Sequence, residues 1–264
     1  MPSVPKDWKH PPVVEVLLGL QFAPVSGLSN GHLGLYWHQL RSQYPTADDA
    51  PPVPLVVEAF GAEPDFAVPG MVLGPAGADS RLRLRSRDGS RLFQVQNGWI
   101  VANWMKQDGV GYPGYGGVLE QFLDGHARFN AFLNAESLPP MVPEAWEVTY
   151  IDHIPRGTVW QEWSDVPRLL PGLLGNSAAP GSRLQSVNGA WSFGLANHPG
   201  RLTIAVQMSR FLSDPPRDVL VVRSTVRGPI TSLPLVESLN CGRTAAVDTF
   251  MGIVSPEAKA YWAG

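Results

Sequence analysis

The sequence predicts an α+β protein made of two tandem β-α-β4-α units, each with a curved antiparallel sheet and related by a pseudo-two-fold axis. Two observations predict this architecture. The order strand, helix, four strands, helix runs twice along the chain, in residues 1–140 and again in residues 141–264. Each copy opens on a strand that carries a Glu-Val pair, and Glu147 follows Glu15 by 132 positions, half of the 264 residues. The two units are therefore expected to form two equivalent lobes.

The first unit begins with a strand and a helix. Two prolines precede the β-rich run Val13–Phe22, and proline is tolerated where a strand starts. Ser29 is a suitable helix cap, and the apolar side chains that follow have helical spacing until Pro45 ends the pattern. A strand is expected next at Pro54–Ala59. The Gly- and Pro-rich stretch Gly61–Ser80 has no periodicity and is predicted to be a long loop, whose role the sequence does not indicate.

Two tight turns predict a three-stranded meander. Asp88-Gly89 separates the alternating runs Arg81–Arg87 and Arg91–Gln96, and Asn97-Gly98 leads from there into Trp99–Trp104. Asp-Gly and Asn-Gly between alternating runs are strong hairpin signals. A helix completes this unit, with apolar residues at Val118, Phe122, Phe129 and Leu133.

The second unit repeats the order. It opens on the strand Trp146–Ile154, and a helix capped by Thr158 follows. Ser232 is expected to cap the last long helix despite Gly242 in its middle, and Ser255 starts a short terminal helix with proline at its first position. The four strands between are predicted at Ser182–Val187, Trp191–Ala196, Arg201–Met208 and Val219–Val226.

The predicted topology resembles the TATA-binding-protein-like fold, which also includes helix-grip proteins that enclose a cavity between the sheet and a long helix. A family resemblance rests on the segments Pro11–Val16, Asp88–Asn97, Asn103-Trp104, Tyr112–Tyr115 and Val148–Ile154. They look like a sporadically distributed, uncharacterised bacterial family of similar length. The resemblance implies no activity and no catalytic residue. A patchy distribution is typical of genes that travel with mobile or defence loci.

Composition excludes several classes of function. The net charge is −3 and the pI is about 6.1, so no overall positive field recruits nucleic acid or an anionic membrane. The single cysteine excludes an internal disulfide framework and favours a reducing compartment. The first residues lack the apolar stretch of a secretory signal, and no apolar run is long enough to span a membrane. A cytoplasmic protein with no membrane partner is therefore expected.

Four arginines alternate in the first strand of the meander. A regular strand would project Arg81, Arg83, Arg85 and Arg87 from one face, where they could hold phosphates. Trp99 and Trp104 on the same meander could add stacking to nucleic acid. The alternative interpretation is a solvated face whose charges prevent edge pairing.

No pattern indicates a catalytic residue, a metal site or a cofactor. Gly109–Gly114 matches G-x-G-x-x-G, but the strand before it belongs to a meander and not to a parallel βαβ unit. Asp152 and His153 are neighbours on a strand, so they point to opposite faces and do not form an acid–base pair. The nine tryptophans mostly fall on predicted elements and are expected in the core, as is Cys241.

The sequence favours a non-enzymatic protein that engages a protein partner. The alternative is a small-molecule binder or enzyme with an apolar cavity between sheet and helix, and binding of nucleic acid through the arginines is a third interpretation. Residues that distinguish the first two are Trp37, Tyr150, Trp191 and Phe193, because ligand-lining side chains would leave an internal void. Tyr150 and Trp191 are expected to contact the protein partner in the first case and the small molecule in the second. The oligomeric state is not predicted.

Overall fold

The computed structural model describes residues 8–55, 58, 60, 80–174, 184–196, 198–211 and 215–264. Within them the protein is α+β, with one antiparallel sheet of nine strands and six α-helices. The strands are β1 Val13–Phe22, β2 Thr46–Ala50, β3 Arg81–Arg85, β4 Arg91–Gln96, β5 Trp99–Met105, β6 Pro143–Pro155, β7 Asn188–Gly194, β8 Arg201–Phe211 and β9 Arg217–Pro229. The helices are α1 Asn30–Leu40, α2 Gly114–Ala135, α3 Val166–Leu169, α4 Pro171–Leu174, α5 Leu235–Ile253 and α6 Pro256–Ala263.

The strand order is β2-β3-β4-β5-β1-β6-β9-β8-β7. The first strand of each half of the chain lies at the centre, where β1 and β6 pair antiparallel with Leu18 opposite Val148. All strands from both halves therefore belong to one sheet.

One face of the sheet carries the main core. Because side chains alternate along a strand, Val16, Leu18 and Leu20 of β1 all point to this face, and each is fully buried. Helices α2 and α5 pack on it, α2 over β5 and β1 and α5 over β6 and β9. Tyr36 of α1 reaches the same core and donates a hydrogen bond from its hydroxyl to the carbonyl oxygen of Gly125 at 3.1 Å. We call this side the helix face, and the other side the open face.

A β-bulge at the start of β1 shapes one end of the helix face. Val13 pairs with Asp152, whereas Glu15 pairs with Ile151, so the register shifts at Val14. An extra residue of this kind bends a strand and redirects the side chains near it. The bulge lies beside the cavity described below.

Several predicted boundaries are wrong. The edge strand is β2 and not Pro54–Ala59, since residues 54, 55 and 58 lie outside any strand and the rest of that segment falls outside the described residues. Prolines remove backbone donors there, whereas the acidic β2 finds its partner in β3 through an ion pair between Asp48 and Arg83. Residues 184–187 are not a strand either, so three strands follow β6 in the described part of the second half.

Two helix predictions also change. The last long helix starts at Leu235, after Pro234 at the N-cap position, and not at Ser232. The helix expected after Thr158 is a series of short turns, namely a 3₁₀ turn at Trp163–Asp165 followed by α3 and α4. Pro171 follows α3 closely and prevents this helix from continuing.

Candidate functional site

A cavity of ≈ 650 Å³ lies between β6 and α5 on the helix face. Its volume is in the range of small-molecule pockets. The residues that lead into β1 and the first turn of α2 close its sides, so elements from both halves of the chain contribute to its wall. Its apolar lining includes Trp8, Val13, Val247 and Phe250.

Strand alternation places two polar residues of β6 in the cavity wall. Tyr150 and Asp152 follow Val148 on the helix face, while His153 points to the open face, where its ring lies 5.4 Å from that of Phe211. Asp152 and His153 thus lie on opposite faces, as predicted. Of these two residues, Asp152 lines the cavity and His153 does not.

Asp152 is the unusual residue of this wall. It is only 4% exposed, and no hydrogen bond or ion pair to its carboxyl group is present among the described residues. Burial disfavours the charged form and raises the pKa of Asp152 to about 8. The group is therefore mostly protonated at neutral pH, so that it can donate a hydrogen bond as well as accept one.

Arg243 enters the cavity from α5. Its guanidinium carbon lies 5.6 Å from the centre of the Tyr115 ring, a cation–π contact. Its Nε atom is buried and has no hydrogen-bond partner among the described residues, and no carboxylate there forms an ion pair with it. The cavity thus contains a cation whose Nε donor is unused, while its guanidinium also interacts with the Tyr150 hydroxyl.

Three tyrosines complete the polar lining. Burial raises the pKa of Tyr112 and of Tyr115 above the ordinary range, and it raises that of Tyr150 to about 12 although the Arg243 guanidinium opposes the shift. All three stay protonated at physiological pH. The ring of Tyr112 packs against Trp104 with centroids 4.5 Å apart, which fixes this wall of the cavity.

The segment Gly109–Gly114, which matches G-x-G-x-x-G, leads to the first turn of α2. Pro113, Gly114 and Gly116 line the cavity there. Gly114 has a φ of +75°, which favours glycine, and an added Cβ at Gly116 would meet no atom within 4 Å. The N-cap residue Pro113 supplies no side-chain cap, and the first turn has no acidic residue. The strand before this segment, β5, is antiparallel to both neighbours, so the dinucleotide-binding context is absent.

The predicted arginine stripe is only partly formed. Arg81, Arg83 and Arg85 project from the open face of β3, but β3 ends at Arg85 and Arg87 lies in the exposed turn. Arg83 forms an ion pair with Asp48. Burial lowers the pKa of Arg81, and its Nε has no hydrogen-bond partner in the described part of the chain.

The predicted aromatic contacts are dispersed. Trp99 shares the open face with the arginines, whereas Trp104 pairs with Val16 on the helix face and is buried there. Trp191 lies on the edge strand β7, far along the sheet from Tyr150. Of the predicted site residues, the structure places Tyr150 alone in the cavity lining.

Sequence reasoning missed most of the cavity residues. The sequence interpretation considers Asp152 only as a partner of His153, although an acid on the core-facing side of a predicted strand is itself a signal for a buried functional group. Arg243 lies in a helix that looks amphipathic and gives no local signal. The prediction for Cys241 is wrong, since its side chain is exposed on α5.

No group of three or more potential metal ligands occurs among the described residues. No helix in the same part of the chain is long and apolar enough to cross a membrane. Comparisons of the chain with protein-family models, with curated proteins and with solved structures give no match.

Proposed function

We propose that this protein binds a small molecule in the cavity between β6 and α5, in the manner of helix-grip proteins. One observation carries the proposal: Asp152 lies almost fully buried at the wall of a ≈ 650 Å³ cavity without a partner in the described chain. Buried polar groups in folded proteins are nearly always hydrogen-bonded. A ligand that occupies the cavity would supply the missing partner.

The composition of the wall supports the same proposal. Ligand sites combine an apolar lining with a few placed polar groups, and here Trp8 and Phe250 provide apolar surface while Arg243 and the tyrosines provide polar contacts. Ala246 and Val247 of α5 are small enough to leave the space between them and β6 open.

A thermal-shift screen against a metabolite panel tests this function. A ligand that binds only the native state raises its apparent stability, by about 2.7 kcal/mol when present at 100 times its Kd. The variant Ala246→Phe places a large side chain at the cavity wall and should abolish the shift. Ala131→Phe adds the same side chain at an exposed position of α2 and should preserve it. A panel without any stabilising compound, or a shift that survives Ala246→Phe, would contradict the proposal.

Engagement of a protein partner is a second proposed function, and the outermost strand of the described sheet favours it. The described strand β7 is the last in the order and pairs only with β8. Phe193 on this strand is 43% exposed, and an open edge can accept a strand from another chain. A pulldown with Phe193→Lys should lose a partner that wild type retains, whereas the same substitution at the exposed Val142 should not.

We also propose that the two halves arose by duplication. Support comes from the strand order, in which β1 pairs with β5 and β6 pairs with β9 around the central β1–β6 pair. Each half thus places its opening strand beside its last strand. Alignment of the two halves across related chains should recover one common offset, and unrelated halves would contradict the duplication.

A further inference from the structure

The cation in the cavity suggests which class of ligand binds there, an inference that depends on the proposed small-molecule function. Two partly buried arginines elsewhere in the sheet have carboxylate partners: Arg201 pairs with Glu58 at 3.1 Å, and Arg227 pairs with Glu147. Arg243 has none among the described residues, although Asp152 lines the same cavity. The guanidinium and the carboxyl group are therefore two separate polar positions of one site.

From this arrangement we propose that the ligand is a carboxylic acid with an apolar or aromatic body, bound by its carboxylate to Arg243 and by a second polar group, such as a hydroxyl, to Asp152. The planar guanidinium offers paired N–H donors that match the two oxygens of a carboxylate. The Tyr115 ring beneath the guanidinium orients it, since their separation is 5.6 Å. Val247 and Phe250, one and two turns further along α5, contact the apolar body.

Charge balance favours a carboxylate over a phosphate ester. Arg243 is the sole cationic side chain that lines the described cavity, and its wall also includes an acid. A monoanion would match one guanidinium, while a dianion would leave a second charge unpaired in a largely apolar space. The uncapped first turn of α2 adds backbone donors at the same wall, which supports a single negative charge.

Two fluorescent probes that differ in one anionic group test the inference. They are 1-anilinonaphthalene-8-sulfonate and its neutral parent N-phenyl-1-naphthylamine, which have the same aromatic body. Wild type should bind both. Arg243→Met keeps the apolar stem and should weaken the sulfonate probe by about tenfold or more while it leaves the neutral probe within about twofold. Arg243→Lys should restore part of the lost affinity, and Arg87→Met, at an exposed turn arginine, should change neither probe.

Competition then identifies the anionic group. Phenylacetate and hexanoate should displace the sulfonate probe from wild type, and phenyl phosphate should displace it at least about tenfold less effectively. More effective displacement by phenyl phosphate would overturn the carboxylate assignment.

The outcomes separate the two proposals. If neither probe binds wild type, the small-molecule function itself fails. Another result is that the neutral probe binds while Arg243→Met either weakens both probes equally or weakens neither of them. In both cases the cavity binds ligands, but the anionic class of ligand is wrong. Circular dichroism and the melting temperature of Arg243→Met show whether it is folded, and Arg243→Lys tests the same contact if it is not.

Discussion

The indole ring of Trp146 on β6 lies against the bare Cα of Gly242 on α5. A Cβ atom added at Gly242 would come within 2.5 Å of Trp146 Cζ3 and within 3.1 Å of Val148 Cγ2. The glycine thus lets the helix approach the sheet closely, one residue before Arg243 of the cavity wall. This contact explains why a residue that weakens helices stands in the middle of α5.

Gly242→Ala should destabilise the protein by about 1–3 kcal/mol, because the added methyl group overpacks a filled core. Gly34→Ala is the matched control, since Gly34 is an exposed interior position of α1 where an added Cβ would meet no atom within 4 Å. That change should stabilise the protein by up to about 1 kcal/mol through helix propensity. Urea unfolding of both variants measures the change in the free energy of unfolding. An equal gain in stability for Gly242→Ala and Gly34→Ala would contradict the close packing at Gly242.

The stability of the ligand-free protein should fall as the pH rises from about 4 to about 8, because of Asp152. Its folded pKa is about 8 and its ordinary value is 3.8, so in this interval the folded protein holds a proton that the unfolded chain releases. Asp152→Asn stays neutral and lacks this dependence. Tyr112 and Tyr150, which face the group, remain protonated throughout.

The free energy of unfolding of wild type should therefore drop relative to that of Asp152→Asn, by on the order of 5 kcal/mol across this range. Below pH 4 and above pH 8 the difference between the two proteins should be constant. Urea titrations at a series of pH values measure it. If the free energies of unfolding of the two proteins changed in parallel from pH 4 to pH 8, burial would not raise the pKa of Asp152.

The buried side-chain amide of Asn103, on the open face of β5, connects the two strands on either side of β5. Asn103 on β5 accepts a hydrogen bond from Gln94 Nε2 at 2.8 Å and donates one to the Glu15 carboxylate. Asn103→Leu should cost about 2–3 kcal/mol, because the Gln94 amide and the Glu15 carboxylate lose partners in a buried setting. Asn188→Leu, on the exposed end of β7, should change the unfolding free energy by less than about 0.5 kcal/mol.

The N-cap of α6 should stabilise one side of the cavity. Ser255 Oγ accepts a hydrogen bond from the Ala258 N–H at 3.2 Å, so Ser255→Ala should cost about 1 kcal/mol. Ser255→Thr keeps the acceptor and should cost less. The helix carries Trp262, whose ring lies 5.3 Å from that of Trp8 in the cavity wall. Hydrogen exchange of the α6 amides should accelerate in Ser255→Ala, and unchanged exchange would contradict the role of the cap.

Local signals predicted the elements that depend on local chemistry. The hairpin turns lie where Asp88-Gly89 and Asn97-Gly98 indicated, and Gly89 and Gly98 have φ angles of +72° and +99°. Alternation also predicted the long central strands. The edge strand β2 was missed because Thr46–Ala50 lacks apolar alternation, and it pairs through a salt bridge with a residue 35 positions away.

The cavity could not be predicted, because it depends on packing between elements that are remote in sequence. Trp8, Tyr115, Asp152 and Arg243 come from four separate segments, and no spacing rule relates them. The close approach at Gly242 and the bulge at Val14 set the shape of this space. Both are visible only when the sheet and α5 are placed together.

The central pairing of β1 with β6 has a consequence for any shortened form of this gene. Since Tyr115 and Arg243 face each other from opposite halves of the polypeptide, a product that ended after α2 would not retain half of the proposed binding capacity. It would retain none, and its newly exposed β1 would present an unpaired backbone at what had been the middle of the molecule. Under the proposed function, selection for ligand binding would therefore act on the chain as one indivisible unit.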